Sequence, residues 1–181
     1  MTGIVILAGG RATRMGGVKA LSPWNGTTLI ATVIDRMAAQ ASAMAINARP
    51  DQAGDLAAFG LPVLTDDDNL SDLGPLSGVR TALQWARGRR NDHVVTAPCD
   101  MPNLPNDMVE KLVAAEPADI AYFVTARDHP LCARWSVSLL PTLEKALAVA
   151  DGGLAVMRFV ESQSVVKVAG DDAAFMNINS L

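Results

Sequence analysis

The residues most able to do chemistry stand close together near the amino terminus, in Leu7-Ala8-Gly9-Gly10-Arg11-Ala12-Thr13-Arg14-Met15-Gly16-Gly17-Val18-Lys19. Paired glycines let a backbone turn sharply and approach a ligand closely. Successive backbone N–H groups in such a loop can form an anion-binding concavity. Arg11, Arg14 and Lys19 add positive charge over the same few residues. An arginine fork suits phosphate oxygens, and a lysine acts as a point charge. The string therefore reads as a cradle for the triphosphate of a nucleotide, with Gly9 and Gly10 bringing the backbone close. The spacing excludes two commoner loops. A P-loop needs its lysine directly after a glycine and before Ser or Thr, whereas Val18 and Ala20 flank Lys19. A dinucleotide fingerprint needs Gly-x-Gly-x-x-Gly opening a helix. The plain alternative is a glycine-rich surface turn, and for either glycine pair taken alone it is the better reading.

Farther along, Pro98-Cys99-Asp100-Met101-Pro102 holds a carboxylate in a turn stiffened by two prolines. An aspartate just past the carboxyl end of a strand suits Mg²⁺, which takes one or two carboxylates plus substrate phosphates. An Asx turn or a helix N-cap is the alternative, and the rigid flanks favour the metal. Asp66 stands at a strand's edge, where its carboxylate could accept hydrogen bonds from a base or a ribose. Asn47 lies near the end of another strand; taken alone it is a strand-end amide satisfied by the neighbouring turn. Gly78 clears a side chain from the opening turn of a helix, either for an anion or for packing. His129 is a loop histidine that could touch a substrate or simply face water. Asn177 and Asn179 share a face if their stretch is a strand, and there could read a heterocycle or a phosphate; two solvent-facing amides on an edge are the blander account. Cys99 is not read as a nucleophile, because no basic partner is near it in sequence and buried structural cysteine is commoner.

The elements that must position these residues alternate between apolar runs and helical patterns, which predicts βαβ units and a mostly parallel sheet. Strands are expected at 4–8, 44–48, 62–65, 92–97, 119–124, 131–135 and 164–168. Helices are expected from Thr27 or Thr28 to about Gln40, over 51–59, from Pro75 to about Arg87, and over 105–115, 137–149 and 154–160. Arg127-Asp128-His129-Pro130 reads as a polar turn, and 175–179 as a last strand. At 181 residues the chain is the size of one domain. Half of it is hydrophobic but only 4% is aromatic, so the core must be aliphatic. A net charge of −4 argues against a broad nucleic-acid surface. No apolar run reaches the ~18 residues of a membrane span, and Met1-Thr2-Gly3 lacks the basic start of a signal peptide. A cytoplasmic protein is the expectation.

Taken together, Leu7-Ala8-Gly9-Gly10, Arg14-Met15-Gly16, Lys19, Pro98-Cys99-Asp100, Asp128-His129-Pro130 and Asn177-Ile178-Asn179 resemble the molybdenum cofactor guanylyltransferases, almost end to end and in the same order. The opening loop marks the wider nucleotidyltransferase group; the Asp-His-Pro and Asn-x-Asn segments narrow it. The resemblance implies one three-layer α/β/α domain over 1–181, with a Rossmann-like sheet of the nucleotide-diphospho-sugar transferase type. It implies transfer of GMP from GTP to the phosphate of molybdenum-carrying molybdopterin, with release of pyrophosphate. It implies GTP contacts at Leu7, Ala8, Gly9, Lys19, Asn47, Asp66 and Asp100, and Mg²⁺ at Asp100. The pterin side would fall on Asn177 and Asn179, with His129 and the Gly78 turn. Arg14 and Lys19 would offset charge on the departing pyrophosphate. Delivery partners or acceptor molybdoenzymes are implied beside the two small substrates. Three departures stand out. Val18 replaces the acidic residue common before the lysine; Arg158 is the nearest candidate for a basic residue of the late helical region; and the chain stops at Leu181, which implies a more open pterin side. Cytidylyl transfer to the same pterin, sugar-phosphate nucleotidyl transfer, and nucleotide binding without chemistry are the competing functions.

Overall fold

A computed structural model describes residues 2–10, 18–67, 73–115, 117–150 and 153–178. In chain order its elements are β1 (Gly3–Leu7), β2 (Pro23–Trp24), β3 (Thr27–Thr28), α1 (Leu29–Ala38), β4 (Ala43–Ala48), α2 (Ala53–Leu56), β5 (Val63–Thr65), α3 (Pro75–Gly88), β6 (His93–Pro98), α4 (Met108–Ala114), β7 (Ile120–Val124), β8 (Asp128–Ser136), α5 (Leu140–Ala148), α6 (Val156–Val160) and β9 (Val165–Ala169). Residues 51–59 form α2 with a 3₁₀ turn at each end rather than one helix.

β1 is buried on both faces, and its side chains explain the layering. Ile4 and Ile6 pack in one apolar cluster with α1 and α4, whereas Val5 packs in the other with α3 and α5. Alternation on a strand sends successive side chains to opposite faces, so a continuous apolar run glues a layer of helices to each side. Asn25 and Gly26 both take positive φ, 45° and 83°, and close the small β2–β3 hairpin. Thr28 then caps α1, its side chain accepting from the Ala31 N–H at 3.3 Å.

The main sheet runs β5-β4-β1-β6-β8-β7-β9. β4, β5 and β6 join β1 in parallel pairings, and β9 runs parallel to β7. β8 is antiparallel to both neighbours. The chain steps from β1 out to β4 and β5, then returns to place β6 on the other side of β1. Such a reversal opens a crevice at the strands' carboxyl ends, where ligands bind in open α/β sheets.

Two expectations are corrected. Asp128-His129-Pro130 is the start of β8, not a turn. The tight turn is one step earlier, closed by the Thr125 N–H donating to the Arg127 carbonyl at 2.9 Å. Pairing of β7 with β8 jumps from Tyr122↔Ala133 to Phe123↔His129, so Pro130, Leu131 and Cys132 bulge from the ladder. A proline cannot donate to a ladder, and a bulge is where a strand tolerates one. Nor is the stretch around Asn177 a strand: the described residues after β9 form turns and irregular chain. A shared strand face for Asn177 and Asn179 is therefore lost, and Asn179 lies outside the described residues. The stretch is instead anchored by buried Phe175, whose ring centroid lies 4.7 Å from that of Phe123 and 5.0 Å from that of His129. The Ile178 N–H then donates to the Asp100 carbonyl at 2.9 Å.

Arg134, inside an apparently apolar strand, is buried among carbonyls. Its guanidinium donates to those of Leu112, Ala115 and Ala118 at 3.1, 3.4 and 3.1 Å. These lie in and just after the last turn of α4, where carbonyls lack helical partners.

Candidate active site

Three strand ends form the floor of a cavity of about 770 Å³. The register places Leu7 of β1 between Asn47 of β4 and Pro98 of β6. The ladder continues one residue past the strands: the Ala8 N–H donates to the Asn47 carbonyl at 2.8 Å, and the Cys99 N–H to the Leu7 carbonyl at 3.1 Å. Backbone pairing thus sets the start of the glycine loop and the start of the proline turn side by side. Leu7, Gly9, Gly10, Lys19, Asn47, Asp66, Gly78, Asp100, His129 and Asn177 all line this one cavity. Ala8 is buried beneath them. Arg14 lies outside the described residues.

Lys19 reaches across from the 3₁₀ turn after the glycine loop. Its Nζ lies 2.5 Å from Asp100 Oδ2 and 3.5 Å from Asn177 Oδ1. With Val18 in place of an acidic neighbour, Lys19 still pairs with a carboxylate, that of Asp100, 81 positions away in sequence. Lys19, Asp100 and Asn177 come from three distant segments and converge on one ammonium group.

On the β4–β5 side, Asn47 is only 3% exposed. Its Nδ2 donates to Asp66 Oδ1 at 2.7 Å and to the Leu64 carbonyl at 3.4 Å. The same Asp66 oxygen accepts from Thr81 Oγ1 of α3 at 2.7 Å. Gly78 belongs with this group rather than with His129 and Asn177. A Cβ placed on it would stand 2.5 Å from Asn47 Oδ1 and 3.3 Å from Leu7 Cδ2. The glycine makes room for the asparagine. Asn47 is tethered at its amide nitrogen and cannot step aside, so Gly78→Ala is expected to cost about 1–3 kcal/mol, as overpacking does. A thermal melt measures that loss, and a nucleotide titration of the same variant should show weaker binding.

At the other end, His129 is buried, its Nε2 sharing a 2.9 Å hydrogen bond with Thr125 Oγ1. Burial, then the nearby Arg127 charge, pushes its imidazolium pKa down, which favours the neutral ring. Asp128 Oδ1 accepts from Lys167 Nζ at 2.9 Å and from Tyr122 Oη at 2.9 Å. The Lys167 ammonium, then the Tyr122 hydroxyl, holds the Asp128 carboxyl below the usual carboxylate range. These ties fix the first residues of β8, and with them the bulge that lines the cavity.

Cys99 and Cys132 are both buried and line the cavity floor. Burial, then the Asp100 charge, pushes the Cys99 thiol up to about 12, and the same causes raise Cys132. The thiolate is the reactive form, so Cys99 is unfit as a nucleophile. Iodoacetamide at pH 8 should label neither cysteine in the folded protein and both after denaturation, as read by intact mass.

Sequence reasoning missed two cavity residues, Arg49 and Arg127, and one behind the lining, Thr81, which bonds Asp66. Arg49 follows β4 directly, and its Cγ lies 3.8 Å from the Cβ position of Gly9. A cation just past a strand's carboxyl end was its visible signal. Arg127 lines the wall beside His129. Thr81 carried no local signal, since it reads as an ordinary helix residue. Arg158, by contrast, is exposed on α6 and does not line the cavity. Among the described residues no cluster of three or more His, Cys, Asp or Glu side chains could form a metal cage. No helix among them is long and apolar enough to cross a membrane.

A model of the MobA-like NTP transferase domain matches residues 4–167. The chain is 45% identical over 147 residues to the molybdenum cofactor guanylyltransferase of Rhodobacter capsulatus, covering 81% of this chain and 74% of that one. Among solved structures it resembles molybdopterin-guanine dinucleotide biosynthesis protein A from Archaeoglobus fulgidus, with a TM-score of 0.79, 24% identity and coverage of 99% and 93%. It also resembles a manganese complex of a Mycobacterium tuberculosis protein, with a TM-score of 0.65, 23% identity and coverage of 94% and 88%.

Proposed function

The chain belongs to the molybdenum cofactor guanylyltransferase family, within the MobA-like NTP transferases, and we propose on that basis that it transfers GMP from GTP to molybdenum-carrying molybdopterin, with release of pyrophosphate. The observation that carries the site assignment is the meeting of Lys19, Asp100 and Asn177 in the cavity that the glycine loop borders. A cavity of about 770 Å³ is of the size that holds drug-sized ligands.

The acceptor phosphate is ionised at neutral pH, so its attack on the α-phosphorus of GTP needs no general base. The work left to the protein is to position two anions and to offset their charge. Gly9 and Gly10 bring backbone to the triphosphate. Arg14 and Lys19 stand to offset charge on the departing pyrophosphate. Asn47 and Asp66 take the nucleoside side, while His129, Asn177 and Asn179 take the pterin side.

Asp100 and Asn177 offer hard oxygen donors within reach of one Lys19 ammonium, so a cation already sits where they converge. That donor set fits a divalent ion completed by substrate phosphates, as Mg²⁺ prefers. Asp100 would hold Mg²⁺, which when bound supplies charge that draws the two anionic substrates together. The test is pyrophosphate release by the whole chain supplied with molybdopterin, Mg²⁺ and each of GTP, CTP, ATP and UTP in turn. Release with GTP above the others is the expected result. A clear preference for CTP would replace guanylyl with cytidylyl transfer, and GTP binding without release would leave a binding module.

A further inference from the structure

A carboxylate in a cavity built for a triphosphate needs an explanation. Asp66 lines the cavity, yet its charge repels phosphate. It follows β5, and β4 separates β5 from β1, whose end carries the glycine loop. Two strand spacings amount to about 10 Å, which places Asp66 beyond the phosphates and beside the nucleoside.

The hydrogen bonds on Asp66 are one-sided. Thr81 Oγ1 and Asn47 Nδ2 both donate to Oδ1, each at 2.7 Å. A carboxylate oxygen has two lone-pair sites, so Oδ1 is filled. Among the described residues no donor reaches Oδ2. Two donors arriving from different elements, α3 and β4, also stop the carboxylate from turning. Thr81 is itself only 8% exposed, so water does not compete freely for its hydroxyl.

We propose that Thr81 is a positioning residue for nucleotide recognition: its hydroxyl locks Asp66 so that Oδ2 accepts an N–H or O–H donor of the GTP nucleoside. Guanine offers N1–H and the 2-amino group, and the ribose offers two hydroxyls. Thr81 touches no substrate; it acts through Asp66. The proposal rests on the cavity being the GTP site.

The test is calorimetric titration of GTP into the full chain, alongside pyrophosphate-release kinetics. Thr81→Val keeps the shape and removes the hydroxyl. It should weaken GTP binding by about tenfold, the scale of one hydrogen bond to a charged group. The KM for molybdopterin should stay unchanged, which a general loosening of the fold would not leave intact. Thr81→Ser should restore affinity to within about twofold. In an Asp66→Asn background, Thr81→Val should add much less than it does alone. ITP, N1-methyl-GTP, 2′-deoxy-GTP and 3′-deoxy-GTP separate the donors: the analogue lacking the one used binds the native chain more weakly and is indifferent to Thr81→Val.

Native GTP affinity in Thr81→Val would overturn the proposal. So would a serine variant as weak as the valine one, or full additivity with Asp66→Asn. If Thr81→Val does not fold, Asp66→Asn must still lose about tenfold while Thr81→Ser loses almost nothing; any other pair of results overturns it. GTP binding without pyrophosphate release in the native chain would end the guanylyltransferase reading and leave this proposal standing. Normal release with unchanged affinity in Thr81→Val would do the reverse.

Discussion

Asp100→Asn should lower the rate of pyrophosphate release by two to three orders of magnitude while leaving the fold almost untouched. Asparagine keeps the shape and removes the negative charge. The Asp100 carbonyl that accepts from Ile178 belongs to the backbone, so the tie to the carboxyl-terminal stretch survives. What is lost is the charge that faces Lys19 Nζ and, in the proposed reaction, the ligand of the divalent ion. Loss of one transition-state electrostatic contact typically costs ~2.7–4 kcal/mol in the barrier. Single-turnover pyrophosphate release at saturating GTP and Mg²⁺ measures the effect, and a melting curve checks the fold. A variant within tenfold of native would remove Asp100 from the chemistry.

Lys19→Ala is expected to have an effect of similar size for a different reason. The ammonium sits between Asp100 Oδ2 and Asn177 Oδ1. Without it, the cavity keeps the Asp100 carboxylate and must accept two polyanions with less positive charge to receive them. Release should fall by about 10²–10³-fold, and GTP affinity should fall as well, which separates this variant from Asp100→Asn. Stability should fall by about 1–3 kcal/mol, more than for an ion pair open to solvent, because both side chains are mostly buried, 21% and 14% exposed. Because the two side chains touch, the double variant should be much less impaired than the product of the single losses. Full multiplication would mean that they act separately.

Much of this arrangement was readable from residue order because it depends on local patterns. The apolar run of β1 predicted a strand covered on both faces, and its end at Gly9-Gly10 located the cavity edge. Pro75 predicted the start of α3, and the cap of α1 was narrowed to Thr27 or Thr28, of which Thr28 makes it. What escaped prediction depends on partners far away in sequence. Asp128-His129-Pro130 has the composition of a turn, yet it is held as strand by Tyr122 on β7 and Lys167 on β9. Asn177 and Asn179 have the alternation of a strand. However, β9 already pairs with β7, and the stretch finds only a tether at Asp100 among the described backbone bonds. Thr81 and Asn47 meet at Asp66 because three elements converge there, which no spacing along the chain reveals.

The anchoring of Phe175 and Ile178 also bears on how the protein is made. Translation proceeds from the amino terminus, and earlier segments can fold as they emerge. The contact of Phe175 with His129 and the tether to Asp100 follow every described strand of the sheet in chain order. Every other described lining residue precedes Asn177 in the chain, so the cavity is completed only when this late segment docks.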